Sequence, residues 1–211
     1  MHLHIRFTSF VLALLCASTV AYAQQASFAR VRVTDGPTLE YPAHWKIVDE
    51  ATVQNRAHAG QAVTEAAGID VSGFQKRNRV VIESTPFPKT AQIRASIVTP
   101  QEYSQEDLRV ATPQDLQTVK TEFESNFRKM SVSGTVKLGK MGEPRVEQIV
   151  GKLALVIPYT RYTESDPTLW QVEQIKIPFE NRLLAMTLSY DTSDVAAMKP
   201  ILARVKRTLK F

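Results

Sequence analysis

The sequence predicts an α+β fold built on an antiparallel sheet. Three observations carry that reading. Residues 135–190 form a run of short strand patterns separated by turns, and consecutive strands joined by short turns are antiparallel neighbours. Apolar stripes at helical spacing bracket this run. Leu116, Val119, Phe123, Phe127 and Met130 precede it, and Val195, Met198, Leu202, Val205 and Leu209 follow it. Near the start, Val31 and Val33 alternate with polar residues before the turn residues Asp35-Gly36-Pro37, which is a hairpin pattern.

Residues 1–23 read as a cleaved signal peptide. Arg6, with His2 and His4, makes a short basic start, and Phe7 to Val20 is a charge-free, mostly apolar stretch. Ala21-Tyr22-Ala23 supplies the small residues of an A-x-A site. The apolar stretch is shorter than the roughly 20 residues a membrane span needs. Cys16 lies inside it, preceded by Leu15 where a lipidation site needs a small residue. Cleavage after Ala23 would leave residues 24–211 without cysteine, hence without a disulfide, a thiolate nucleophile or a zinc–sulfur site. The composition, 44% hydrophobic and 22% charged, is that of a folded chain and excludes disorder. The formal net charge of +5 is too mild for a nucleic-acid-binding footprint.

The elements follow in order. Arg30 to Thr34 and Thr38 to Tyr41 form the first hairpin, and Trp45 is expected to plug the core beneath the sheet. Ile47 to Ala67 reads as helix, ended by Gly68. Asp70 to Arg79, with the basic run Lys76-Arg77-Asn78-Arg79, reads as a polar loop. Val80 to Ser84 and Ala91 to Val98 are strands, the second with Ile93, Ala95 and Ile97 on one face. Pro86-Phe87-Pro88 interrupts them. Pro100 to Val110 reads as an acidic-leaning loop. The following helix is capped by Thr112, with Pro113 at its first position and Asp115 in its first turn. Beyond Gly134 the strands are Thr135 to Leu138, Pro144 to Ile149, Lys152 to Thr163, Leu169 to Pro178 and Leu183 to Tyr190. The turns fall at 139–142, 150–151, 164–167 and 180–181. Ser193 or Asp194 can cap the last helix, and Pro200 suggests a start near Met198.

Motifs of chemistry are missing. The sequence holds no glycine-rich phosphate loop, G-x-S-x-G elbow, H-E-x-x-H or EF-hand spacing. His44 and His58 are the only histidines after residue 23, and no pattern pairs them for a metal. Adjacent acids such as Asp49-Glu50 and Glu106-Asp107 diverge on a helix or strand and make poor acid–base partners. One local charge feature stands out. From Lys199 onward there are five basic residues, Lys199, Arg204, Lys206, Arg207 and Lys210, and no acid. They complement a helix C-terminus, and they form a candidate partner-binding basic face.

The order of motifs resembles the PsbP-like family, which includes the extrinsic photosystem II subunit, a Ran-binding nucleotide-release factor and secreted bacterial relatives. The resemblance rests on Leu39-Glu40-Tyr41-Pro42-Ala43-His44-Trp45 and on Gly151-Lys152-Leu153-Ala154-Leu155-Val156-Ile157-Pro158-Tyr159. It continues through Ile177-Pro178, Leu184 to Tyr190 and the closing Thr208-Leu209-Lys210-Phe211. It implies a central antiparallel sheet flanked by helices on both faces, an α/β/α sandwich, with residues 24–211 as a single PsbP-like domain. It also implies binding or assembly rather than catalysis, and it carries over no site residue.

The expectation is therefore a soluble periplasmic protein that is not an enzyme. It would need no cofactor or metal, would bind a protein partner in the cell envelope, and would touch membrane at most peripherally and nucleic acid not at all. Two other readings stay open: a small-ligand or lipid-binding protein with a cavity between sheet and helix, and a hydrolase whose site has no recognisable motif.

Overall fold

The computed structural model describes residues 27–56, 58, 75–86, 89–132 and 136–211. The signal peptide expected over residues 1–23, with Cys16, and also Gly68, Phe87-Pro88 and Gly134 lie outside the described residues. The first hairpin joins β1 (Phe28–Arg32) and β2 (Thr38–Pro42), with Val31 opposite Leu39. Asp35 sits at φ 57° in the connecting turn. The main sheet contains β3 (Lys46–Ile47), β4 (Gln75–Glu83), β5 (Ala91–Thr99), β6 (Lys137–Met141), β7 (Arg145–Ile149), β8 (Lys152–Tyr162), β9 (Trp170–Phe179) and β10 (Arg182–Asp191). Their order is β3-β4-β5-β10-β9-β8-β6, and β7 also pairs β8. Every pairing is antiparallel. Among the described residues four helical segments accompany the sheet: α1 (residues 50–56), α2 (Gln105–Val110), α3 (Pro113–Val132) and α4 (Val195–Arg207).

Side chains alternate across a strand, so each strand feeds two layers. On one face Ile93, Ala95 and Ile97 of β5 meet Leu184, Met186 and Leu188 of β10, Ile175 and Ile177 of β9, and Val156 of β8. The hairpin residues Leu39 and Tyr41, with Trp45, close that layer together with Leu202 and Val205 of α4. Trp45 is 4% exposed, as the core-plug reading requires. On the opposite face Leu155 and Ile157 pack under Leu108 of α2. Tyr159 and Val172 pack under Phe127 of α3. Helices thus cover both faces, and each large side chain taken from water contributes about 1.5–3 kcal/mol.

Several elements differ from the sequence reading. Ile47 belongs to β3, opposite Ile82; of the expected helix 47–67, residues 48–49 are not helical, 50–56 and His58 are, and 57 and 59–67 lie outside the described residues. Gln75 to Arg79 is strand rather than loop, because β4 pairs Gln75, Lys76 and Arg77 with Thr99, Val98 and Ile97. A bulge between Arg77 and Val80 follows. Over 75–80 this strand has no outer neighbour among the described residues. Charge on such an edge discourages pairing with other chains, so a polar run fits a strand there. Residues 105–110 form a helix instead of a loop. Ser104 accepts from the Asp107 N–H at 3.2 Å while the Asp107 carboxylate accepts from the Ser104 N–H at 2.7 Å, a reciprocal cap. Gln105 then ties α2 to the sheet. Its amide donates to the carbonyls of Leu153 and Pro178 at 2.9 and 2.7 Å, and its oxygen accepts from the Leu153 N–H at 2.8 Å. Gly139 and Met141 lie inside β6, which absorbs the expected turn as a bulge. The final helix begins at Val195 despite Pro200, after a short 3₁₀ turn (Thr192–Asp194) capped by Asp191; Asp194 holds the N-cap position of the helix, without a side-chain hydrogen bond there.

The β7–β8 hairpin turns as expected at Val150-Gly151, with φ of 47° and 76°. Those signs suit Asn-Gly, whereas a β-branched residue is strained there by about 1–2 kcal/mol. Val150 is 48% exposed, so packing gives it little in return. Val150→Asn should raise stability by about 1 kcal/mol in chemical denaturation. A loss would mean that the turn adopts another type.

Candidate functional site

Helix α4 buries Leu202 and Val205 and places basic residues in its last turn. The five cations of the expected basic face separate into two groups. Arg204 reaches Glu40 of β2 at 3.2 Å, where Arg30 also binds at 3.0 Å, and its guanidinium lies 3.8 Å from the centre of the Phe28 ring. Lys206 is more enclosed, its side chain 18% exposed. It bridges Glu147 of β7 at 3.2 Å and Glu173 of β9 at 3.1 Å. Arg145 binds the same two carboxylates at 3.0 Å each. Arg204 and Lys206 therefore fasten α4 to the hairpin and sheet; their acids come from strands far away in sequence. Lys199, Arg207 and Lys210 are exposed and enter no ion pair among the described residues. Lys210 also pairs its backbone with Thr38, at 3.0 Å and 2.9 Å, which fixes the tail beside the hairpin.

Burial alone would raise the Glu173 carboxyl, but Lys206 and Arg145 more than offset it and hold it below the usual range. A carboxylate lowered in the folded state contributes stability that is present above its unfolded value, about 4.3, and is lost as pH falls through the folded value. Glu173→Gln should therefore flatten the fall of the melting temperature below about pH 4.3. An acid limb identical to that of the parent protein would show that the network adds nothing in that window.

Other candidates are less engaged. His44 and His58 are exposed. Among the described residues no three His, Cys, Asp or Glu side chains gather to hold a metal ion. No described helix is long and apolar enough to cross a membrane. One group escaped the sequence reading altogether. Gln92 and Arg94 of β5, Arg161 of β8 and Trp170 of β9 line a cavity of about 190 Å³, with Lys89, Val136 and Asp166. The signal lay in β5, where Gln92, Arg94 and Ser96 alternate with apolar residues. The strand has a neighbour on each side, and Gln92 and Ser96 are buried, so its polar positions are not simply solvated.

The sheet order, the helices on both faces and the hairpin against α4 can be compared with solved structures. Cyanobacterial PsbP (CyanoP) from Synechocystis superposes with a TM-score of 0.54 at 13% identity, over 88% of this chain and 92% of that one. The chain has a PsbP-like fold. Two further structures align at lower scores. PA94, a Pseudomonas aeruginosa protein of unknown function, gives 0.41 at 15% identity over 87% of this chain and 96% of that one. LpqN, involved in cell envelope biogenesis of Mycobacterium tuberculosis, gives 0.42 at 14% identity over 87% and 90%. No protein-family model matches the sequence, and no curated protein does. Identity this low makes PsbP-like a statement of architecture. It agrees with the α/β/α sandwich that the motif order implies.

Proposed function

We propose that the chain is an exported, non-catalytic accessory protein of the cell envelope, docking on an acidic protein partner through the exposed end of α4. The observation that supports this reading is the division among the five cations. Arg204 and Lys206 are held by Glu40, Glu147 and Glu173, while Lys199, Arg207 and Lys210 stay exposed beside them. The basic leader and Ala21-Tyr22-Ala23 support export, with residues 24–211 as one domain.

An exposed electrostatic contact weakens with salt, since the screening length falls from about 10 Å at 0.1 M to about 3 Å at 1 M. The test is capture of a partner from periplasmic extract by the parent protein and by a Lys199→Glu, Arg207→Glu, Lys210→Glu variant. Capture should fall in the variant and at high salt, while the melting temperature barely changes, because none of the three is in an ion pair among the described residues. Equal capture by both proteins would remove the docking reading. Intact mass of the exported protein should place the first residue at Gln24, and retention of Met1 would overturn the export step.

A further inference from the structure

On β5 the apolar residues Ile93, Ala95 and Ile97 point to the α4 layer, so Gln92, Arg94 and Ser96 lie on the other side of the sheet. Gln92 is 2% exposed there, and Arg94 is half-buried. Arg161 enters the same space from β8, and its Nε is buried without a hydrogen-bond partner. The nearby carboxylates are engaged elsewhere. Glu83 takes Lys89 at 2.6 Å, Arg56 at 2.7 Å and the Gln92 amide at 2.7 Å. Asp166 accepts from the Thr168 N–H at 3.0 Å in its own turn. Among the described residues neither Arg94 nor Arg161 has a carboxylate partner.

The arrangement is also held in place. Arg94 Nε donates to Gln92 Oε1 at 2.6 Å, and Gln92 is anchored in turn on Glu83. One edge of the guanidinium is thereby fixed, and its terminal nitrogens are left to the cavity that Arg94 lines. We propose that this cavity binds a small oxyanion, Arg94 and Arg161 gripping a phosphate or carboxylate group while Trp170 and Val136 cover the short apolar remainder of the molecule.

Guanidinium is the group that suits this ligand. Its planar fork matches the paired oxygens of carboxylate and phosphate, and such bonds are charge-assisted. The 190 Å³ volume is below the roughly 300–1,000 Å³ typical of larger ligands, which limits the molecule to an anionic head with little attached. The electrostatics agree. Burial first, then the positive charges of Arg161 and Arg79, draws the Arg94 guanidinium down to about 10. An anion between the two arginines would relieve both effects.

The test uses the purified protein dialysed free of phosphate and titrated calorimetrically with inorganic phosphate, phenyl phosphate and benzoate. At least one should saturate a single site per chain. Strength with inorganic phosphate indicates the free ion, strength with phenyl phosphate an ester, and strength with benzoate a carboxylate. Arg94→Met and Arg161→Met should each weaken that binding at least tenfold, whereas Arg128→Met, an exposed cation on α3, should leave it unchanged. Without ligand, both cavity variants should melt no lower than the parent, because each removes a half-buried charge that has no carboxylate partner among the described residues. Arg94→Lys keeps the charge but loses the fork, and should weaken binding while the protein stays folded. Failure of all three probes to saturate would overturn the proposal. So would equal binding by the parent and Arg94→Lys, or a loss in Arg128→Met matching that in the cavity variants.

Discussion

Phe127→Ala lowers the stability of the folded chain by about 3–5 kcal/mol. Phe127 is 6% exposed at the centre of the apolar stripe of α3. Its ring lies 5.5 Å from Phe123 and 5.4 Å from Tyr159, centre to centre, in tilted and edge-on arrangements. Truncation removes both ring contacts and leaves a space bounded by β8 and β9, which cannot move inward without breaking the ladder between them. A typical domain has roughly 5–15 kcal/mol in total, so the loss is a large share. Guanidinium denaturation followed by circular dichroism measures it. A change below 1 kcal/mol would mean that α3 does not pack on this face.

Leu202→Ala, on the other side of the sheet, costs about 2–5 kcal/mol. Leu202 is 4% exposed and belongs to the cluster that α4 shares with the hairpin and the inner strands. The two residues serve different layers and share no neighbour in those clusters. Their effects should therefore add within about 0.5 kcal/mol in the double variant. A single unfolding transition for each variant, with additive losses, shows that one sheet is the common wall of both layers. Two separated transitions would divide the sandwich into independent parts.

These two helices are also where the sequence is easiest to read. Thr112, Pro113 and Asp115 mark the start of α3 by chemistry that acts within one turn, and the Asp115 carboxylate accepts from the Thr112 N–H at 2.8 Å. The hairpins of β7 to β10 are legible for the same reason, since strand alternation and turn residues are local. Elements defined by distant partners are not. The two residues of β3 are a strand only because Ile47 finds Ile82, and Gln75 to Arg77 are strand only because β5 lies alongside. The short α2 is an intermediate case. Ser104 and Asp107 form a local cap, but Asp replaces the usual Glu or Gln, and the helix owes its position to Gln105 bonding two strands. The candidate sites follow the same division. The cations of α4 stand out as a run, but Glu40, Glu147 and Glu173, which occupy two of them, become visible only once the chain is folded. Arg94 and Arg161 belong to different strands, and nothing local connects them.

β10 lies between β5 and β9, with Leu184 opposite Ile97 on one side and Ile177 on the other. Its partner β9 is a hairpin neighbour, but β5 comes from the first half of the chain. During synthesis from the N-terminus onward, β5 therefore waits for the strand that completes it. Over that interval its inner edge presents unpaired amides, and Ile93, Ala95 and Ile97, all buried in the finished fold, lack the cover of α4. Late closure between distant strands is slow, and an open apolar edge invites pairing with another chain. This largely buried strand is thus among the last to be satisfied. A nascent chain stopped before residue 182 would need a holding chaperone to avoid aggregation, and the completed chain would not.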